Sequence, residues 1–209
     1  MTKVSIEVNE LKKAFGRRLI FKEVNFSLSH TQSLIITGKN GSGKSTLIKI
    51  LAGVLSYSSG SVKIKINDKV IDKEEYFKEV GLVSPYLVLY DEFSAYENLK
   101  LFIRIRGVDV REDRIESILN DIGLLDRRND LLRTFSSGMK QRMKYASAIL
   151  HDPSIFFIDE PTSNLDQPGK DYVQDLIGSY RRDRIVIVAT NEKEDFRFGD
   201  QVINLDAYK

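Results

Sequence analysis

The chain has 209 residues, no cysteine, and 32 basic against 30 acidic side chains, for a formal net charge of +2. This excludes disulfide staples, thiolate metal sites and cysteine nucleophiles, and it excludes a nucleic-acid binder that works by bulk positive charge. Hydrophobic residues at 42% are too many for a disordered chain, and a chain of this length can hide roughly 70% of its unfolded surface in a core of its own.

No apolar run approaches the ~20 residues that a membrane helix needs. The longest runs are 155–158 and 185–189. Met1 to Glu7 contains no apolar stretch, so no secretory signal is expected and the chain is placed in the cytoplasm.

Val4, Ile6 and Val8 alternate with polar residues, as do Val24, Phe26 and Leu28, and later Val62, Ile64 and Ile66. Period two predicts strands with one wet face. Leu34-Ile35-Ile36 does not alternate, which fits a strand buried on both faces, and it ends at Gly38. After Gly43 the period becomes helical: Leu47, Ile50, Leu51 and Val54 predict a helix over 44–55. Residues 87–150 read as a helical insertion, with Ile115, Ile118 and Ile122 marking one helix and Met139, Met143, Ala146 and Leu150 another. Two unbroken apolar strands, 155–158 and 185–189, flank a helix marked by Tyr172, Leu176 and Tyr180. Strands alternating with helices predict an α/β fold with a parallel sheet covered on both faces. The whole of 1–209 reads as one domain.

Gly38-Lys39-Asn40-Gly41-Ser42-Gly43-Lys44-Ser45-Thr46 fits G-x-x-x-x-G-K-[ST] in full. A loop that wraps phosphates must bring backbone N–H groups close to oxygen, and glycine permits that approach. The helix that follows points its partly positive end at the anion. Lys44 is expected to reach the β- and γ-phosphates, and Ser45 to give its hydroxyl to Mg²⁺. A glycine-rich surface turn is the alternative. Further on, Ile155-Phe156-Phe157-Ile158 ends in Asp159-Glu160. Ligands of parallel sheets bind beyond the carboxyl ends of strands. Asp159 is therefore a candidate to hold Mg²⁺, and Glu160 to take a proton from an attacking water. Taken alone, such a pair can simply end a buried strand.

Together with these two motifs, Phe135-Ser136-Ser137-Gly138-Met139 resembles the signature loop of ABC transporter ATP-binding subunits, and it sits about 20 residues before the acidic strand. The resemblance covers nearly the whole chain. It implies a P-loop NTPase with a mainly parallel core sheet flanked by helices, an N-terminal antiparallel β subdomain and the helical insertion. It implies ATP and Mg²⁺ as ligands, with ATP sandwiched between the phosphate loop of one subunit and Ser136, Ser137 and Gly138 of another. Ser163-Asn164-Leu165-Asp166 resembles the family's D-loop. Phe15 lies where the family stacks an aromatic on adenine, although a phenylalanine after Leu11 could instead be core. Tyr86 to Asn98 resembles the segment that contacts integral membrane permease subunits; the same residues could also fill the subdomain core.

Three departures stand out. Pro85 falls where the family has a glutamine, with Ser84 beside it as a conceivable substitute. Asn191 follows Thr190 where the family has a histidine; it can hydrogen-bond a γ-phosphate but carries no charge. Ser137 and Met139 replace a glycine and a glutamine of the signature. His30 and His151 are expected to be ordinary loop or helix-end residues. The resemblance thus implies slow hydrolysis by the isolated chain, a homodimer or heterodimer with a second ATP-binding subunit, and attachment to the inner face of the cell membrane through permease subunits. Compact length and the Arg104-Ile105-Arg106-Gly107 run are similar to exporter-system ATPases. A soluble ABC-type ATPase, as in iron–sulfur cluster assembly, is the rival class, and a non-ABC P-loop kinase would leave residues 135–139 unexplained.

Overall fold

The alternating segments near the N-terminus pair into an antiparallel sheet. In the computed structural model, which describes residues 3–162, 165 and 167–209, β1 (Val4–Phe15) lies between β2 (Arg18–Ser29) and β4 (Ser59–Ile66), with β5 (Lys69–Val70) at the far edge. Val4, Ile6 and Val8 point inward, and then Leu11 does, because a bulge inserts an extra residue. Glu10 takes φ +48° there, and Gly60 of β4 crosses it at φ +93°. A β-carbon on Gly60 would lie 2.4 Å from the Glu10 carbonyl oxygen, so only glycine fits.

The apolar runs form a second, parallel sheet. It contains β3 (Ser33–Thr37), β6 (Val80–Val83), β7 (Ile155–Asp159), β8 (Ile185–Ala189) and β9 (Gln201–Asn204), in the order β6-β7-β8-β3-β9. Its two faces belong to two cores. Ile35, Phe156, Ile158, Val186 and Val188 face the helical side, whereas Leu34, Ile36, Phe157, Ile187 and Ala189 face the antiparallel sheet. Burial on both faces is why β3, β7 and β8 lack polar alternation.

Helix α1 (Lys44–Leu51) follows β3, and α2 (Lys73–Glu79) precedes β6. The predicted extension of α1 to residue 55 is corrected. The helix stops at Leu51 because Gly53 takes φ +76°, and the N–H groups of Val54 and Leu55 both turn back to the Lys49 carbonyl. Val54 is exposed, so its place in the apolar period does not reflect burial.

Between β6 and β7 lie α3 (Ala95–Arg106), α4 (Glu112–Asp121) and α5 (Ser137–Ile149), linked by short 3-10 turns and one antiparallel bridge between Ser94 and Leu131. α6 (Gln167–Tyr180) packs back beside β8. The register Val83–Ile158–Val188 and Ile36–Ala189 aligns the strand ends. Gly38, Ser84, Glu160 and Thr190 therefore leave the sheet at one edge.

Candidate active site

The loop after β3 has the backbone that its glycines allow. Gly38, Gly41 and Gly43 all have positive φ, and Gly43, at +110°, caps α1. A β-carbon on Gly43 would meet Ile20 Cγ2 at 2.5 Å, so packing against β2 fixes this residue as much as the turn does. Helix α1 has no side-chain cap and no acidic residue in its first turn. Its first N–H groups are thus left to an anion. The Lys44 ammonium is buried and donates to the Gly38 carbonyl at 2.8 Å, across the ring of the loop.

Ser45 Oγ donates to Asp159 Oδ1 at 3.1 Å, joining α1 to the end of β7. Asp159 is 1% exposed, and its Oδ2 is buried without a hydrogen-bond partner. Burial, and secondarily Glu160, push its pKa up, against the hydrogen bond from Ser45. A hydroxyl and an orphaned carboxylate oxygen, both hard donors, fit a divalent cation that takes its other ligands from phosphate and water. Glu160 follows at φ +53°, a conformation uncommon for any residue with a β-carbon, and its N–H is held by the Ala189 carbonyl at 2.8 Å. Its exposed side chain lines a 280 Å³ cavity with Asn40, Lys170 and Asn191.

Asn191 bridges the loop. With its amide oriented to satisfy both neighbours, its nitrogen donates to the Gly38 carbonyl at 2.6 Å and its oxygen accepts from Lys44 Nζ at 3.0 Å. Thr190 fixes the turn that presents it: Thr190 Oγ1 donates to the buried Asp195 at 2.7 Å and accepts from Glu192 N at 3.0 Å. Ser84 is buried next to β7, but its hydroxyl accepts from Tyr86 N at 3.3 Å, and Pro85 is exposed.

Lys39, Asn40, Ser42 and Thr46 lie in the loop and first turn as predicted, with Lys39 and Asn40 exposed and Ser42 buried. The structure does not bring the signature residues to this loop. Ser136 caps α5, accepting from Met139 N at 3.3 Å, and Ser136 and Gly138 line a separate cavity of 410 Å³ with Arg142 and Tyr172. Ser136 and Ser137 are exposed, and space is open around the Gly138 α-carbon. Phe15 is 49% exposed at the tip of β1, with the Lys13 ammonium 4.5 Å from its ring centre, so it is not a core residue. Ser163, Asn164 and Asp166 lie outside the described residues. Neither His30 nor His151 lines the cavity: His30 follows β2, and His151 follows α5.

Sequence reasoning misses three contributors. Asp206 accepts from Lys39 N at 3.0 Å, anchoring the phosphate loop to the C-terminal segment. Asp195 and Lys170 also escape it; no spacing rule links a threonine to a carboxylate five residues on, or a first-turn lysine to a distant loop.

A family model described as "ABC transporter" matches residues 21–163. The chain belongs to the ABC transporter family, among its ATP-binding chains. Its relatives include a linearmycin resistance ATP-binding protein of Bacillus subtilis, 30% identical over 89% of this chain, and a lantibiotic transport ATP-binding protein of Streptococcus pyogenes, 32% identical over 89%. This ABC chain spans 60% of the first relative's length and 79% of the second's. Among solved structures, a dimeric ATP-binding cassette in a post-hydrolysis state with ADP and phosphate matches 95% of this chain and 93% of its own, with a TM-score of 0.81 and 23% identity. The parallel sheet, helical insertion and antiparallel sheet described above are thus the ABC ATPase fold.

Proposed function

We propose that the chain binds and hydrolyses ATP with Mg²⁺ and couples that cycle to transport by separate membrane-spanning subunits. The observation that carries the reading is the Ser45–Asp159 contact at 3.1 Å, with one orphaned carboxylate oxygen, set between the phosphate loop and Glu160. The loop amides and the start of α1 hold the β- and γ-phosphates. Lys44 gives up the Gly38 carbonyl and donates to phosphate oxygens. Asn191, released from Lys44, turns its amide N–H toward the γ-phosphate. Ser45 and Asp159 would hold the Mg²⁺, which would supply neutralisation of phosphate charge. A water attacks the γ-phosphorus, the bond to the β–γ bridging oxygen breaks, and Glu160 takes the water's proton. ADP and phosphate leave. With neither a glutamine at position 85 nor a histidine at 191, the isolated chain turns over slowly.

The separate cavities of the phosphate loop and the signature loop support a sandwich of two chains, Ser136, Ser137 and Gly138 of one closing on the nucleotide of the other. Tyr86, Val88, Tyr90 and Phe93 are all exposed, while Leu89, Ala95 and Asn98 of the same segment are buried. This segment both fills the subdomain and offers an apolar face to permease subunits. No helix among the described residues is long and apolar enough to cross a membrane, so attachment to the inner face of the membrane runs through those subunits. The family model's description and the name of the lantibiotic transport relative favour this reading over a soluble role in cluster assembly.

Glu160→Gln tests the site. The variant is expected to bind ATP as tightly as the parent while hydrolysis falls by a factor of about 100 or more. Undiminished phosphate release would remove Glu160 from the role of base.

A further inference from the structure

Lys170 enters the site from α6, the helix that begins directly after the segment resembling the D-loop, and is itself part of no motif. It is the fourth residue of α6, partly buried, and it lines the 280 Å³ cavity shared by Glu160, Asn191 and Asn40. Among the described residues it forms no ion pair. A lysine in the first turn of a helix sits against the positive end of the helix dipole, and α6 has no acidic residue there to offset it. Local helix stability therefore does not account for this cation.

The charge balance of the cavity does. Two carboxylates, Glu160 and Glu192, line it, and both amide residues, Asn40 and Asn191, are neutral. Lys44 lies behind Asn191, 3.0 Å from its amide oxygen. A terminal phosphate entering between the loop and Glu160 adds further negative charge to a wall whose one lining cation, among the described residues, is Lys170. Positive charge aimed at a transferring phosphoryl group is the largest electrostatic aid available to such a site. The site has no histidine to supply it, since Asn191 ends the turn after β8.

We propose that Lys170 is a catalytic residue that contacts the γ-phosphate and supplies the positive charge that Asn191 lacks. The proposal rests on the site being the ATPase centre. Its ammonium donates to a γ-phosphate oxygen, stabilises the charge that builds there as the bridging bond breaks, and keeps its own proton throughout.

The test uses the full chain as Lys170→Gln and Lys170→Arg, each alone and with Asn191→His. ATP and ADP affinities are read by displacement of a fluorescent nucleotide, turnover by phosphate release, and folding by thermal unfolding. K170Q is expected to lose about tenfold in ATP affinity with ADP affinity within about twofold, and to lose at least about tenfold in kcat. K170R retains most of both, and Asn191→His restores much of the K170Q loss, because a second cation then reaches the same oxygen. An unchanged ratio of ATP to ADP affinity in K170Q, or an equal loss for both nucleotides, overturns the proposal. If the parent chain binds neither nucleotide, the ATPase reading itself falls and the proposal with it.

Discussion

The imidazole of His151 is held between the end of α5 and the backbone of β6. Its Nε2 lies 3.0 Å from the Val80 carbonyl, which can only accept, so Nε2 carries the proton and the buried Nδ1 is bare. The Arg106 guanidinium donates to the same carbonyl at 2.9 Å. Burial first, and then Arg106, push the pKa of His151 down to about 4. The unfolded imidazole titrates near 6.5, so its folded-state pKa is depressed. Neutral His151 contributes its full stability above about pH 6.5, and that contribution is lost as the pH falls toward about 4. Unfolding free energy is expected to drop by about 2 kcal/mol over that window from this group. His151→Gln, which still donates to Val80, flattens that part of the profile when urea unfolding is followed from about pH 7 to about pH 4.5. A parent profile no steeper than the variant's would show that the ring is not held neutral. At this scale, legibility follows the chemistry. Lys44, Ser45 and Asp159 could be read because phosphate and metal binding demand fixed residue types at fixed spacing. Lys170, Asp195 and His151 could not, because their neighbours come from remote segments.

Helix α3 shows the same division at the level of an element. Its start is written in the sequence: Ser94 accepts from Glu97 N at 3.2 Å, and Glu97 accepts from Ser94 N at 2.8 Å, a reciprocal cap that needs only a serine and a glutamate three residues apart. What the helix does next is not written. Asn98 is fully buried, and its amide donates to the carbonyls of Tyr90, Phe93 and Ser94 at 3.0, 3.3 and 2.9 Å while its oxygen accepts from Tyr90 N at 2.9 Å. One side chain thus ties together the loop that carries the exposed Tyr90 and Phe93, adding to the backbone donors that already serve those carbonyls. Asn98→Ala leaves the Tyr90 N–H unpaired and removes a second donor from three carbonyls that keep the backbone donors of Phe93, Leu132 and residue 98, and it is expected to cost about 2 kcal/mol. Asn98→Asp costs more, since a carboxylate then faces three carbonyl oxygens. Chemical denaturation measures both, and a loss below about 1 kcal/mol for the alanine would mean that water replaces Asn98 readily. Element ends are the least legible feature. The period that carries α1 to Val54 gives way to a left-handed Gly53, and β9 buries only Ile203, too little pattern to announce a strand.

At the scale of the whole molecule, the parallel sheet sets all the strand-end groups on one edge, and α5 holds the signature residues elsewhere. In the two-chain sandwich proposed above, such a chain would carry half of two sites and complete them on pairing. Gly138 separates folding from pairing with opposite signs. It is the second residue of α5, and an added β-carbon there meets nothing within 4 Å. Gly138→Asp places a carboxylate at the positive end of the helix dipole and replaces a poor helix former, so the monomer is expected to gain a few tenths to about 1 kcal/mol. The same carboxylate would face the γ-phosphate of a second chain, where like charges repel. In the Glu160→Gln background, where ATP is expected to stay unhydrolysed, the otherwise parent sequence is therefore expected to elute as a dimer with ATP and as a monomer with ADP. Adding Gly138→Asp keeps it monomeric with either nucleotide while ATP binding to the phosphate loop and the melting temperature are maintained or raised. An ATP-dependent dimer that persists in the Gly138→Asp protein would mean that the start of α5 does not close on nucleotide, and that the two cavities work independently.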